Sequence, residues 1–125
     1  MSLKSGDKIS GRVLHGDKVG RKMGFPTANL EIPELSEEDF GVYSVEVLLE
    51  KGYYKGVLSV GNKATFKENG TPLAECHIFD YCEDIYGKIL EITVVEFIRP
   101  QLKFSSLEAL KLQIAEDIQS VKNKN

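Results

Sequence analysis

Apolar and polar residues alternate along most of this chain, which is the pattern of β-strands with one buried face. Five alternating runs are separated by turn residues, and they predict strands at 9–14, 41–49, 53–60, 73–81 and 89–98. The side chains expected to face the core are Tyr43, Val45, Val47, Leu49, Leu90, Ile92, Val94 and Ile98. Between the runs, the acidic stretch 31–39 is predicted to be a surface loop.

The period of the pattern changes near the C-terminus. Ser105 and Glu108 have the spacing of a capping box, which predicts a helix start. Apolar residues then recur at helical spacing, at Leu107, Leu110, Ile114 and Ile118. We expect one amphipathic helix packed on the outside of a sheet, with a frayed tail at 121–125.

Five or six strands in series followed by one late helix indicate a mainly β antiparallel barrel. The βαβ alternation of an open nucleotide-binding sheet is missing. If this domain binds a nucleotide, it does so in another way than a Rossmann fold.

Composition narrows the class of protein. A chain of 125 residues, 42% hydrophobic and 28% charged, suits a single globular domain spanning 1–125. The net charge of −3 argues against a nucleic-acid-coating protein. No apolar run approaches the roughly 20 residues of a membrane span, and no signal peptide pattern is present, so we expect a cytoplasmic protein. Residues 1–3 could be a cloning remnant.

The two cysteines, Cys76 and Cys82, are interpreted as reduced, because they lie in one short segment of a chain that we expect to be cytoplasmic. A zinc site needs more ligands than this segment supplies.

A glycine-rich basic segment at 16–24, GDKVGRKMG, offers chemistry for an anion. Its three glycines would let backbone N–H groups approach a phosphate, and its cations, Arg21 among them, would add charge. The spacing is not that of a Walker A loop. The alternative is an exposed hairpin loop carrying solvated cations.

The next segment, Pro26-Thr27-Ala28-Asn29, suggests a magnesium site. Thr27 and Asn29 have the same parity, so in an extended chain their neutral oxygens point to one side. Magnesium prefers such hard oxygen ligands and keeps several waters. The alternative is a proline-led turn in which Asn29 bonds its own backbone.

Glu75 falls within a predicted strand, where glutamate is depleted. A carboxylate there could act as a general base toward a hydroxyl. The alternatives are an ordinary outward-facing position or a cross-strand ion pair. His77 has the same parity and is more typical of a packed strand histidine than of a metal ligand.

A short linker, Arg99 to Phe104, follows the last predicted strand. Its cation, amide and aromatic ring could hold a planar heterocycle. The alternative is a connector in which Phe104 packs at the helix entry.

Four stretches, taken together and in this order, resemble a riboflavin kinase domain, and the resemblance covers essentially the whole chain. They are the segment 11–24, Pro26-Thr27-Ala28-Asn29, Glu75-Cys76-His77-Ile78, and Tyr86-Gly87 through Arg99-Pro100 to Phe104-Ser105-Ser106-Leu107. The resemblance implies a six-stranded antiparallel Greek-key β-barrel with a C-terminal α-helix packed outside. It also implies Mg²⁺-assisted transfer of the γ-phosphate of ATP to the 5′-hydroxyl of riboflavin, giving FMN and ADP.

The resemblance further implies residue roles. Glu75 would be the catalytic base, and Thr27 and Asn29 would be the magnesium ligands. The implied ATP-binding residues are Gly16, Gly20, Arg21, Gly24, Pro26, Thr27, His77, Ile78 and Tyr86. The implied flavin-binding residues are Arg99, Gln101, Lys103 and Phe104. There are two departures from the family pattern. Many relatives carry a Pro-Thr pair after an Asn-Ile-Gly triplet, where this chain has Ser59-Val60-Gly61-Asn62-Lys63-Ala64-Thr65, and an acidic residue is common where this chain has Gln101.

Two other function classes remain as alternatives: a non-catalytic flavin- or nucleotide-binding regulatory module, and an OB-like barrel for single-stranded nucleic acid. The net charge of −3 disfavours the nucleic-acid-binding barrel. We expect small-molecule substrates, no nucleic-acid or membrane partner, and a monomer. Because bacterial relatives fuse this domain to an N-terminal FMN adenylyltransferase, the chain is expected to be either a stand-alone kinase or an excised portion of such a protein.

Overall fold

A computed structural model describes residues 3–14, 28–33, 35–61, 74–79, 85–100 and 107–123. The strands are β1 (Lys8–Leu14), β2 (Ala28–Glu31), β3 (Gly41–Leu49), β4 (Gly52–Val60), β5 (Ala74–Ile78) and β6 (Ile89–Arg99). A short 3-10 helix (Glu37–Asp39) precedes β3, and one α-helix, α1 (Leu107–Asn123), follows β6. Among the described residues, no helix is both long and apolar enough to span a bilayer.

The six strands form a closed antiparallel barrel in the order β1-β2-β5-β4-β3-β6. Strand β5 lies between β2 and β4, and β6 closes the ring between β3 and β1, so the connections are of the Greek-key kind rather than a simple meander. This confirms the predicted mainly β fold with a single late helix.

Apolar side chains from every strand fill the interior of the barrel. Val47, Leu58 and Leu90 are completely buried, and they belong to one continuous core. A six-stranded barrel is too narrow to hold a ligand among such side chains. Any substrate site therefore lies on the outer surface or at an end of the barrel.

A second, smaller apolar cluster lies between the barrel's outer face and α1. Val42 of β3 and Val57 of β4 contribute from the barrel, and Ile118 and Val121 contribute from the helix. Phe79, just after β5, completes the cluster, and the Lys122 ammonium lies 5.2 Å from the centre of its ring. The helix is thus docked over the β3–β4 part of the wall.

The predicted core positions are confirmed with one exception. Those on β3 are buried in the core, as are the predicted positions on β6 up to Val94. Ile98 instead packs against the helix-side cluster. The β3–β6 register shifts between Ser44 and Val45, which leaves Val95 as an extra residue in a bulge and changes the parity of β6 before Ile98 is reached. A second shift, between Val42 and Tyr43, leaves Ile98 itself as an extra residue.

The structure corrects two boundary predictions. Stretch 31–39 is not wholly a surface loop, because Ile32, Leu35 and Asp39 are buried. The predicted frayed tail at 121–125 is also wrong at its start, since α1 continues to Asn123 and Val121 is buried. In both places the burial comes from tertiary packing that the local sequence does not reveal: Ile32 and Leu35 pack in the barrel core, and Val121 packs in the helix-side cluster.

Candidate functional site

Glu75 lies on the outer face of β5. Its neighbours Ala74 and Cys76 are buried in the barrel core, and burial alternates strictly along the strand. Glu75 and His77 therefore point outward, and both are half-buried. This gives one carboxylate and one imidazole on the same strip of the barrel wall.

Strand register brings two polar residues beside Glu75. Asn29 of β2 is its direct partner on one side, and Ser59 of β4 is its direct partner on the other. Residues that face each other across antiparallel strands have Cβ atoms about 4.5–5.5 Å apart and share a face of the sheet. Asn29, Glu75 and Ser59 form what we call the polar row. The Asn29 and Glu75 side chains, far apart along the chain, thus lie within reach of one bound group.

The polar row is bordered by helix α1. Beyond Ser59 the next paired residue is Val42, which is buried under the helix. Along β5, the His77 ring lies 5.6 Å from the ring of Phe79, which is in the same helix-side cluster. The site is therefore a polar strip beside an apolar wall.

Cys76 is next to Glu75 in sequence but has no role in this strip. Its side chain is in the core, where burial raises the pKa of the thiol to about 12. The thiol is therefore protonated near neutral pH and is not a nucleophile. It is a free cysteine, as predicted. Cys82 lies outside the described residues.

Arg99 is held by helix α1, and it is not beside Glu75. Its Nε donates to Asp117 Oδ1 at 2.9 Å, and its Nη2 donates to Asp117 Oδ2 at 2.7 Å. Arg99 pairs with Val42, so it lies on the same register line as the polar row, three strands from Glu75. At the usual strand spacing this is about 14 Å measured along the sheet.

The other predicted site residues have mixed positions. The Ile78 side chain is in the barrel core, so only its backbone is available to a nucleotide. Tyr86 is exposed in the turn before β6, where the N–H of Gly87 donates to the Val13 carbonyl. Outside the described residues lie Gly16, Gly20, Arg21, Gly24, Pro26, Thr27, Gln101, Lys103 and Phe104.

Sequence reasoning missed the neighbours that the fold supplies. Ser59 was noted only as a departure from a family pattern, and Asp117 was not singled out. No local signal identifies Ser59, because its position beside Glu75 depends on the β4–β5 register. Asp117 lies outside the set of apolar positions that recur along the helix. A charged residue there is typical of a solvated helix face, yet Asp117 is buried.

Comparison with known families decides the classification. The family described as "Flavokinase: Riboflavin kinase" matches residues 3–125. This chain belongs to the riboflavin kinase family. The match confirms the resemblance inferred from the sequence motifs.

Named relatives are longer proteins. A protein of Haemophilus influenzae named bifunctional riboflavin kinase/FMN adenylyltransferase is 41% identical over 117 residues, covering 92% of this chain and 37% of that protein. The chain thus spans little more than a third of the length of this flavokinase relative. A Bacillus subtilis relative, named RNA-binding riboflavin kinase RibR, is 38% identical and covers 90% of this chain and 49% of its own length. Because of that name, the absence of a nucleic-acid partner stays a prediction.

Solved structures share the fold. One, titled as a macrolide-efflux protein from Streptococcus pneumoniae, has a TM-score of 0.82 and 34% identity, and the match covers 94% of this chain and 39% of that one. Another, titled riboflavin kinase from Trypanosoma brucei, has a TM-score of 0.60 and 24% identity, and the match covers 94% and 78%. The second likeness bears on the fold alone.

Proposed function

We propose that this chain transfers the γ-phosphate of ATP to the 5′-hydroxyl of riboflavin, giving FMN and ADP. Membership of the flavokinase family supports the reaction class. The observation that carries the proposal is the direct cross-strand pairing of Asn29 with Glu75 on the outer face of the barrel. An oxygen ligand for a cation and a carboxylate base are two groups that phosphoryl transfer to an alcohol needs side by side.

In this proposal Glu75 is the general base. Its carboxylate accepts the proton of the riboflavin 5′-hydroxyl as the hydroxyl oxygen forms a bond to the γ-phosphorus. The bond from the γ-phosphorus to the oxygen that bridges it to the β-phosphate breaks, and ADP leaves. A half-buried carboxylate on the outer face suits this role, because it can reach an alcohol bound at the surface of the barrel.

Asn29 is the proposed magnesium ligand. Its amide oxygen is a hard oxygen donor of the kind that Mg²⁺ prefers, and it lies beside the Glu75 carboxylate. When bound, Mg²⁺ would neutralise charge on the phosphate oxygens. Thr27 and the glycines of 16–24 remain proposed contacts to the metal and the phosphates, and segment 15–27 leads directly into the strand that carries Asn29.

The proposal divides the substrates between two regions. ATP is assigned to the polar row, with His77 and Tyr86 nearby, and the flavin is assigned to the region of Arg99 with Gln101, Lys103 and Phe104. The FMN adenylyltransferase activity named for the longer relatives is not proposed for this domain, since the match covers only 37% of the Haemophilus influenzae protein.

A direct assay tests the proposal. Purified protein incubated with riboflavin, ATP and Mg²⁺ is expected to form FMN and ADP in equal amounts, measured by chromatography with fluorescence detection of the flavins and absorbance detection of the nucleotides. A reaction without Mg²⁺ and one with the Glu75→Gln variant are the controls. Riboflavin binding without FMN formation would favour the rival function, a non-catalytic flavin-binding module.

Removing the Asn29 amide tests the metal assignment separately. We expect Asn29→Ala to raise the Mg²⁺ concentration needed for half-maximal activity by about 10-fold, the order seen when one contact of a metal site is lost. The measurement is a Mg²⁺ titration at saturating ATP and riboflavin. Ser10→Ala, which removes a polar group from the exposed outer face of β1, is the control and should leave the titration unchanged. An unchanged titration in Asn29→Ala would remove Asn29 from the ligand set.

A further inference from the structure

Arg99 and Asp117 form a nearly buried ion pair between the barrel and helix α1. Arg99 is the last residue of β6, and its side chain retains 16% of its exposure, while that of Asp117 retains 6%. Both oxygens of the carboxylate are used, each by a different nitrogen of the guanidinium. Such a two-point contact fixes the plane of the guanidinium as well as its position.

Gln113 and Pro100 add to this arrangement. Gln113, one helical turn before Asp117, donates from its Nε2 to Asp117 Oδ1 at 3.0 Å. Arg99 Nη1 donates to the Pro100 carbonyl at 3.0 Å. The carboxylate is therefore oriented by the helix, and the guanidinium is oriented by the carboxylate and by its own backbone neighbour.

The contacts that hold Arg99 determine which of its N–H groups remain available to a ligand. A guanidinium has five N–H bonds in one plane. The Nε–H and one Nη2–H point to Asp117, and one Nη1–H points to Pro100. The described residues take up three of the five donors, which leaves one N–H on Nη1 and one on Nη2, the two nitrogens that form the end edge of the guanidinium. That edge has the geometry to donate to a carbonyl or anionic oxygen.

We propose that Asp117 and Gln113 are positioning residues, which hold Arg99 side-on so that its Nη1/Nη2 edge is presented to an oxygen of the bound flavin. This inference rests on the proposed function, in which Arg99 contacts the flavin. It adds that helix α1 sets the flavin affinity of the barrel through one carboxylate. The competing explanation is that the ion pair only attaches the helix to the barrel.

The test compares three variants with wild type in four measurements: riboflavin Kd by fluorescence quenching, riboflavin KM, ATP KM and the thermal midpoint. Asp117→Asn is expected to weaken riboflavin binding and raise riboflavin KM by about 10-fold or more, because a charge-assisted contact that orients Arg99 is lost. ATP KM should change by less than about 2-fold. Glu116→Gln removes the same charge from an exposed neighbour on α1 and should change none of the four.

Arg99→Lys separates positioning from attachment. Lysine keeps the charge and an ion pair with Asp117, but it lacks the planar edge. We expect a thermal midpoint close to that of wild type with a riboflavin Kd raised as in Asp117→Asn. If Arg99→Lys binds riboflavin as wild type does, or if Asp117→Asn lowers only the thermal midpoint, the ion pair is structural and the inference is overturned.

The same titrations keep this inference distinct from the proposed function. A wild-type protein that binds riboflavin but forms no FMN would refute the kinase proposal, while the Kd comparison between variants would still decide the role of Asp117. A wild-type protein that does not bind riboflavin at all would overturn both.

Discussion

Replacing Glu75 with glutamine is expected to lower kcat by roughly 10²–10⁴ while leaving nucleotide affinity within a few-fold of wild type, the range for loss of a general base. The physical reason is that an amide of nearly the same shape cannot accept the proton of the attacking hydroxyl. Because Glu75 is on the outer face and outside the core, the substitution leaves the core packing intact. Steady-state kinetics and ADP binding by calorimetry measure the two quantities.

The matched control is Glu91→Gln. Glu91 is an exposed, outward-facing glutamate on β6, in a different part of the wall from the polar row. The substitution removes the same charge from another outward-facing strand position. An effect of net charge alone would therefore appear in both variants. A Glu75→Gln enzyme with kcat close to that of wild type would show that the carboxylate is structural, and the base would have to be sought elsewhere.

The second large effect is expected at Gly56, where β4 and β5 approach closely. A Cβ atom added at Gly56 would lie 2.6 Å from the backbone carbonyl oxygen of His77, closer than such atoms can come. Backbone atoms cannot rotate away as a side chain can, so β5 must shift. We expect Gly56→Ala to lower the free energy of unfolding by about 1–3 kcal/mol, the usual cost of overpacking, and Gly56→Val to lower it further.

Gly52→Ala is the control for this change. It lies on the same strand, and the atoms nearest to its added Cβ belong to the ring of Tyr54, a side chain that can move. Chemical denaturation of both variants gives the comparison. Because the carbonyl that is displaced belongs to the strand carrying Glu75, Gly56→Ala should also reduce kcat. Equal stability losses at the two glycines would refute the close-approach explanation.

Local sequence patterns predicted five of the six strands, because each of those strands has one face in a common core, but they did not predict the four-residue strand β2. The alternation from Tyr43 to Leu49 is sufficient to identify which side chains point inward. The same reasoning failed at Ile98, because a bulge inserts an extra residue and no periodicity announces it. It also failed at Val121, where burial depends on how the helix docks against β3 and β4.

The candidate site was less accessible to such reasoning. The pairing of Asn29 with Glu75 depends on β5 lying between β2 and β4, a long-range arrangement that no single segment encodes. The resemblance to the family motifs identified both residues as site residues. The hydrophobic pattern and residue chemistry alone identified them only as polar side chains with several possible roles. Asp117 could not have been found by either route, since its partner Arg99 comes from another element.

The closed ring of strands also limits how this domain can meet other proteins. Every strand of the barrel pairs with a neighbour on each side, so within the described residues no strand has a wholly unpaired edge to which another chain could add a full-length strand. Strand addition, a common mode of peptide recognition, is therefore disfavoured at the barrel. We expect a covalently joined neighbour or a separate partner to recognise the barrel mainly through side chains, connecting segments or the helix, and such a surface can change in evolution without disturbing the backbone ladder that holds the polar row.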